Sequence, residues 1–285
     1  MNLNSFEVAG NKAVKVKYEN FRVISFSITC RIEKLSNFSV FGFKTTQTAT
    51  VTSCCLELPV FLRTSMYCLQ QSVLRDQCDL GVRFLDLRIA RKPAAGAKLF
   101  FAHGIYTLLT VKEALCELAA WLDAHPKEIV IVSCSHFELL SEEDHVQLVD
   151  FIIGLFGTKL CSSQDTPTLS SCWSRGQQVV VFYDDQQMNL WIFAAGFYVS
   201  GLNLTEDAPY VLLHPLRNMK TVTKRALSLL LGWASEQRPG SQVGGVNILC
   251  FDFVDISCFC SLVIGLNYKW PCGVDEWERL HVAQF

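Results

Sequence analysis

The chain has 285 residues, half of them hydrophobic and 18% charged, with a formal net charge of −2. This is a core-forming composition and excludes a disordered chain. The near-neutral charge excludes bulk attraction to nucleic acid or anionic lipid, and no local basic stripe compensates.

Thirteen cysteines, odd in number and scattered, argue against a disulfide framework. Cys54-Cys55 and Cys258-x-Cys260 lack partner pairs at metal-ligand spacing and read as buried apolar thiols in a reducing, cytoplasmic compartment. Met1 to Lys17 shows no apolar core followed by a cleavage site, so no targeting segment is expected. The longest apolar run, Leu190 to Leu202, is shorter than the ~18 residues a membrane span needs. Two matches to the glycosylation sequon, at Asn37 and Asn203, are read as chance.

In chain order, residues 1–64 stand apart. They hold short β-like patches, Ala13 to Tyr18 and Phe21 to Thr29, and a polar stretch from Thr45 to Ser53, with no chemical motif. No histidine precedes His103. From Gly81 the pattern becomes strand, helix, strand. Val82 to Ile89 alternates and ends in polar residues, and Leu99 to Ala102 is a short apolar run ending at His103. Thr110-x-x-Glu113 is a capping box opening a helix with apolar positions at Val111, Ala114, Leu115, Leu118, Trp121 and Leu122. His125-Pro126 stops it. Ile129 to Val132 is a buried strand by its β-branched run. Ser141-x-x-Asp144 caps a second helix, and Trp173 to Gly176 reads as a turn before a strand at Val179 to Tyr183. Phe197 to Asn203 reads weakly as strand, Lys220 to Glu236 as helix, Val246 to Asp252 as a last strand, and Leu262 to Leu266 as an apolar helix.

Apolar strands alternating with amphipathic helices predict a parallel sheet covered by helices, about six strands in all. Polar residues collect where these strands end: Asp86, Arg88, His103, Ser133, Ser135, Asp184, Asn203 and Asp252. A barrel of parallel strands gathers its chemistry at that rim, whereas a doubly wound sheet does so only at its switch point. The expected fold is therefore an α/β barrel of TIM type, distorted because the link from Ile89 to Leu99 is too short for a crossover helix.

Asp86 and Arg88 lie two apart on one strand, so alternation sends both to one face, the barrel interior. Buried charges are costly unless paired or used. The pair is either a structural ion pair in the barrel mouth or an arginine that neutralises a phosphoryl group beside a carboxylate that orients a neighbour. His103, followed by a glycine, is either a satisfied histidine or a group placed to protonate a leaving alkoxide. Asp252 is a strand-end carboxylate that either faces the site or serves the fold. His125, His136, His145, His214 and His281 read as surface or capping residues.

Five segments in order carry a resemblance: Gly81-Val82-Arg83-Phe84-Leu85-Asp86-Leu87-Arg88, Phe101-Ala102-His103-Gly104, His125-Pro126-Lys127-Glu128-Ile129-Val130, Trp173-Ser174-Arg175-Gly176-Gln177-Gln178 and Gly201-Leu202-Asn203-Leu204-Thr205-Glu206. From about Ser72 to Tyr268 the chain resembles the phosphatidylinositol-specific phospholipase C X-domain-containing proteins, most of all their type 1 members. The resemblance implies a distorted TIM-type barrel that cleaves an inositol phospholipid at its phosphodiester. One histidine takes the proton of the attacking inositol hydroxyl and a second protonates the leaving diacylglycerol oxygen. His103 matches the second histidine, Arg88 the phosphate-neutralising residue of metal-free relatives, and Asp86 the aspartate that positions His103. Asp252 resembles the carboxylate that orients the first histidine, and Ser135, Tyr183, Asp184 and Asn203 are expected to bind substrate. Phe84 stands where calcium-dependent relatives carry an acidic residue, so no metal and no cofactor is expected.

The first histidine of that family lies in a Gly-Ser-His-Asp segment, and this chain has none. The segment after Asp184 is also short. Two strand–helix units are therefore expected to be absent or replaced, as in a splice-type or truncated variant. The expected organisation is an atypical segment 1–64, a barrel-like domain 65–270 and a tail 271–285. The expected partner is a phosphatidylinositol-like headgroup, with peripheral membrane contact and no nucleic acid; oligomeric state is not readable. Two classes of function stand open: a phosphoric diester hydrolase weakened by the missing base, and a non-catalytic binding or regulatory protein on the same scaffold. A glycerophosphodiester-type barrel would want paired acidic metal ligands near its first strands, which this sequence lacks.

Overall fold

The computed structural model describes residues 24–28, 74–93, 95–102, 106–162, 167–184, 197, 199–204, 219–240 and 245–269. The elements in chain order are β1 (Ile24–Ile28), α1 (Leu74–Asp79), β2 (Val82–Arg91), β3 (Leu99–Ala102), β4 (Tyr106–Thr110), α2 (Val111–Ala124), β5 (Val130–Glu138) and α3 (Glu142–Phe156). They continue with α4 (Leu169–Arg175), β6 (Val179–Tyr183), β7 (Val199–Gly201), α5 (Met219–Glu236), the short pair β8 (Arg238–Pro239) and β9 (Gly245–Val246), then β10 (Ile248–Cys250) and α6 (Phe259–Leu266).

Six strands run parallel in the order β7-β10-β1-β2-β5-β6. β3 pairs antiparallel with the far end of β2, residues 89–91, and β4 pairs antiparallel with β3. This hairpin is the distortion that the short link after Ile89 requires. Among the described residues β6 and β7 do not pair with each other, so the barrel does not close. Residues 24–28, ahead of the boundary expected at residue 64, lie within the sheet between β2 and β10.

The two faces of the sheet separate by parity. On one face Leu85, Leu87, Ile89, Val130, Val132, Val179 and Val181 pack under α2 and α3 through Leu115, Leu118, Leu122, Leu148 and Ile152. On the other face Phe84, Ile131, Val180 and Ile248 form a smaller cluster inside the barrel. Burying a Leu-sized side chain contributes roughly 1.5–3 kcal/mol, so the helix-covered face supplies most of the stability.

Local signals explain several boundaries. Thr110 and Ser141 each accept from the backbone N–H three residues on, and Glu113 and Asp144 bond back, so both expected capping boxes form. α2 ends at His125, whose ring stacks on Trp121. The Trp173 segment is not a turn. It belongs to α4, opened by a Thr168–Ser171 capping box and closed by Gly176 at φ +67°, where only glycine sits without strain. α1 and β4 were not expected from the sequence. They are too short for periodicity to mark them.

Candidate active site

Asp86 and Arg88 follow Phe84 along the inner face of β2, at its C-terminal end, with the apolar floor of Phe84, Ile131, Val180 and Ile248 behind them. The register sets Asp86 beside Ser133 and Arg88 beside Ser135 of β5. Asp86 accepts two bonds. The Ser135 hydroxyl donates to Oδ1 at 2.9 Å, and Arg88 Nε donates to Oδ2 at a long 3.5 Å. The Arg88 side chain keeps 26% of its surface, and among the described residues no bond to either of its Nη groups is found. A guanidinium tethered at one nitrogen and open at two is suited to bidentate grip of an oxyanion.

The next polar group lies past β10. Asp252 is 1% exposed and accepts from Asn203 Nδ2 at 2.6 Å. Its Oδ2 is buried with no hydrogen-bond partner among the described residues. Burial pushes this carboxyl up to about 7, against the downward pull of the Asn203 bond and the Arg88 charge. Arg88 and Asp252 therefore feel each other across the barrel mouth. Burial also drives the neighbouring Cys250 thiol far up, which makes it inert as a nucleophile.

The expected residues divide as follows. Asp86, Arg88 and Ser135 form one bonded group, and Asn203 with Asp252 a second. Asp184 is exposed just past β6, its N–H donating to the Cys134 carbonyl at 2.9 Å. His103 lies outside the described residues, as do His214 and His281. Tyr183 does not join the group as a substrate-binding residue. Its register partner is Cys134, so alternation turns it to the helix-covered face. There its hydroxyl meets His145 Nδ1 at 2.8 Å, beside Phe137. His145 is accordingly buried, not a surface residue. Of the paired thiols in the last segment, Cys260 is buried but Cys258 is exposed.

One residue at the site escaped sequence reasoning. His136 follows Ser135 at a bulge in β5: Arg88 pairs with Ser135 and Ala90 with Glu138, so the one residue between them on β2 faces two on β5. At φ +50° His136 sits in the left-handed region that non-glycine residues rarely adopt. Its Nδ1 lies 2.9 Å from Ser135 Oγ. Nothing in the sequence marks a bulge at this point. Among the described residues no three His, Cys, Asp or Glu side chains gather as metal ligands would. No described helix is long and apolar enough to cross a membrane.

Parallel strands ending in an arginine, two carboxylates and their amide and hydroxyl partners define an α/β barrel-type chain. No protein-family model matches the chain. It is 42% identical over 231 residues to PI-PLC X domain-containing protein 1 of Danio rerio, covering 70% of this chain and 75% of that protein. It is 38% identical over 247 residues to the Homo sapiens protein of the same name, covering 75% and 76%. In fold it is similar to the phosphatidylinositol-specific phospholipase C of S. aureus, with a TM-score of 0.51 and 13% identity over 75% of this chain and 89% of that one. The chain belongs to the PI-PLC X domain-containing proteins.

Proposed function

We propose that the chain is a phosphoric diester hydrolase of the phosphatidylinositol-specific phospholipase C type, acting without a metal on an inositol phospholipid at a membrane surface. The observation that carries this reading is Arg88. It is held by one nitrogen to Asp86, and among the described residues its remaining donors have no partner. In the proposed reaction Arg88 neutralises the diester phosphate, and the inositol 2-hydroxyl attacks the phosphorus. His103 gives its proton to the departing diacylglycerol oxygen, with Asp86 holding its orientation. Asn203, past the end of β7, and Asp184, past the end of β6, take the headgroup from the two edges of the sheet.

No histidine precedes His103, so the base of the family's usual pair is missing. Loss of a general base typically costs ~10²–10⁴-fold in rate, and turnover of that order below a complete site is expected. A second reading is favoured by the open sheet among the described residues: a non-catalytic scaffold that binds the headgroup without cleaving it. Release of cyclic inositol phosphate from phosphatidylinositol vesicles by the purified chain, beside a His103→Ala variant, separates the two. Slow release abolished by the substitution supports the hydrolase. Equal background from both proteins, with vesicle binding retained, supports the scaffold.

A further inference from the structure

We infer that Asp86, Ser135 and His136 form a relay of hydrogen bonds that leaves His136 Nε2 as the acceptor for a ligand hydroxyl beside the phosphate held by Arg88. This rests on the function proposed for the site and supplies the base that function lacks.

Ser135 has one hydroxyl hydrogen, and it goes to Asp86 Oδ1 at 2.9 Å. The Ser135 oxygen then has only lone pairs to offer His136 Nδ1, also at 2.9 Å. Nδ1 must therefore carry the imidazole proton and donate it. In the neutral ring this leaves Nε2 with its lone pair, the form a general base needs. Ser135 is buried and cannot exchange this arrangement freely with water, whereas His136 is exposed. The β5 bulge explains how a residue of the wrong parity reaches the site. The extra residue and the φ of +50° turn His136 back onto the side chain of Ser135. Backbone strain of this kind persists only where surrounding contacts hold it.

Asp252 is the competing base. Its Oδ2, however, is buried, while His136 is open to a ligand. In the proposed step the inositol O–H bond breaks. Its proton passes to His136 Nε2, and the oxygen's electron pair forms the new bond to phosphorus. The bond from phosphorus to the glycerol oxygen breaks, and that oxygen takes a proton from His103. The His136 imidazolium keeps its Nδ1–H on Ser135, facing the Asp86 carboxylate through that hydroxyl, and then loses the Nε2 proton to water.

The test uses the full chain labelled with ¹⁵N-histidine, the His136 signals being assigned by their loss in His136→Gln. At a pH where the ring is neutral, long-range proton–nitrogen spectra are expected to show the Nδ1–H form. In Ser135→Ala the ring is expected to revert to a tautomer mixture. Addition of myo-inositol 1-phosphate is expected to shift Nε2. In the vesicle assay His136→Gln is expected to lower kcat by roughly 10²-fold with KM little changed. An Nε2–H form, a ring unaffected by Ser135→Ala, or inositol phosphate binding that leaves His136 unmoved overturns the relay alone. Failure of inositol phosphate to bind at all overturns the functional reading, and the relay with it.

Discussion

Strand β2 carries three arginines, and two of them, Arg88 and Arg91, have come to opposite ends of what an arginine can do. Arg91 is closed. It bonds both carboxylate oxygens of Asp144, and its Nη1 donates to the Gly96 carbonyl at 3.1 Å. Asp144 is at once the N3 member of the α3 capping box, so this pair ties β2 to the start of a helix. Arg88 is open, with a single 3.5 Å contact to Asp86 and no bond to its Nη groups among the described residues. The same residue type on the same strand is saturated where it supports the fold and unsaturated where it faces the rim. Saturation, not burial or charge alone, distinguishes the two.

Substitutions around each arginine separate the two, and the largest loss of rate is expected at the proposed acid. His103→Ala is expected to cost ~10²–10⁴-fold in cyclic inositol phosphate release. Arg88→Ala should cost about 10²–10³-fold, as the loss of a preorganised oxyanion donor does. Its unfolding free energy from urea denaturation should stay within about 0.5 kcal/mol of wild type, because little is bonded to it among the described residues. Asp144→Asn reverses the pattern. Urea denaturation should show a loss of roughly 1–3 kcal/mol, since it breaks a charged bond and a helix cap together, with rate per folded molecule unchanged.

pH separates the two carboxylates in the same way. Burial works against the charge of Asp144, but its bonds from Arg91 and Ser141 overcome this and hold its carboxyl down to about 2. A lowered carboxyl gives stability that is present above its unfolded pKa of about 4 and is lost as pH falls toward 2. Asp252 is raised to about 7. The folded state then holds an extra proton between about pH 4 and 7, so this group's contribution to stability falls as pH rises through that window and is level beyond it. Asp252→Asn is therefore expected to stabilise the chain at pH 8 and not at pH 4, by urea denaturation. Equal effects at both pH values would show that this carboxyl holds no extra proton between them.

Much of the scaffold was legible in the sequence because its signals are local. The Thr110 and Ser141 capping boxes and the β-branched strands at 130–132 and 179–183 act through neighbours a few residues away. Parity on β2 correctly sent Asp86 and Arg88 to one face. What escaped depended on register between distant strands. Tyr183 looked like a rim residue from its place at a strand end, and only its pairing with Cys134 turns it away. The bulge after Ser135 that brings His136 to Ser135 is a mismatch between two strands, invisible in either alone. Helix α4 was missed because seven residues are too few to show a period.

The central claim is that Arg88 is held open to grip a phosphate. It is tested most directly by binding myo-inositol 1-phosphate to wild type, Arg88→Ala and Asp144→Asn by calorimetry. The account predicts binding to wild type and Asp144→Asn, with a loss on the order of 2–3 kcal/mol in Arg88→Ala, the range for a charge-assisted bond. Unchanged affinity in a folded Arg88→Ala protein would contradict it.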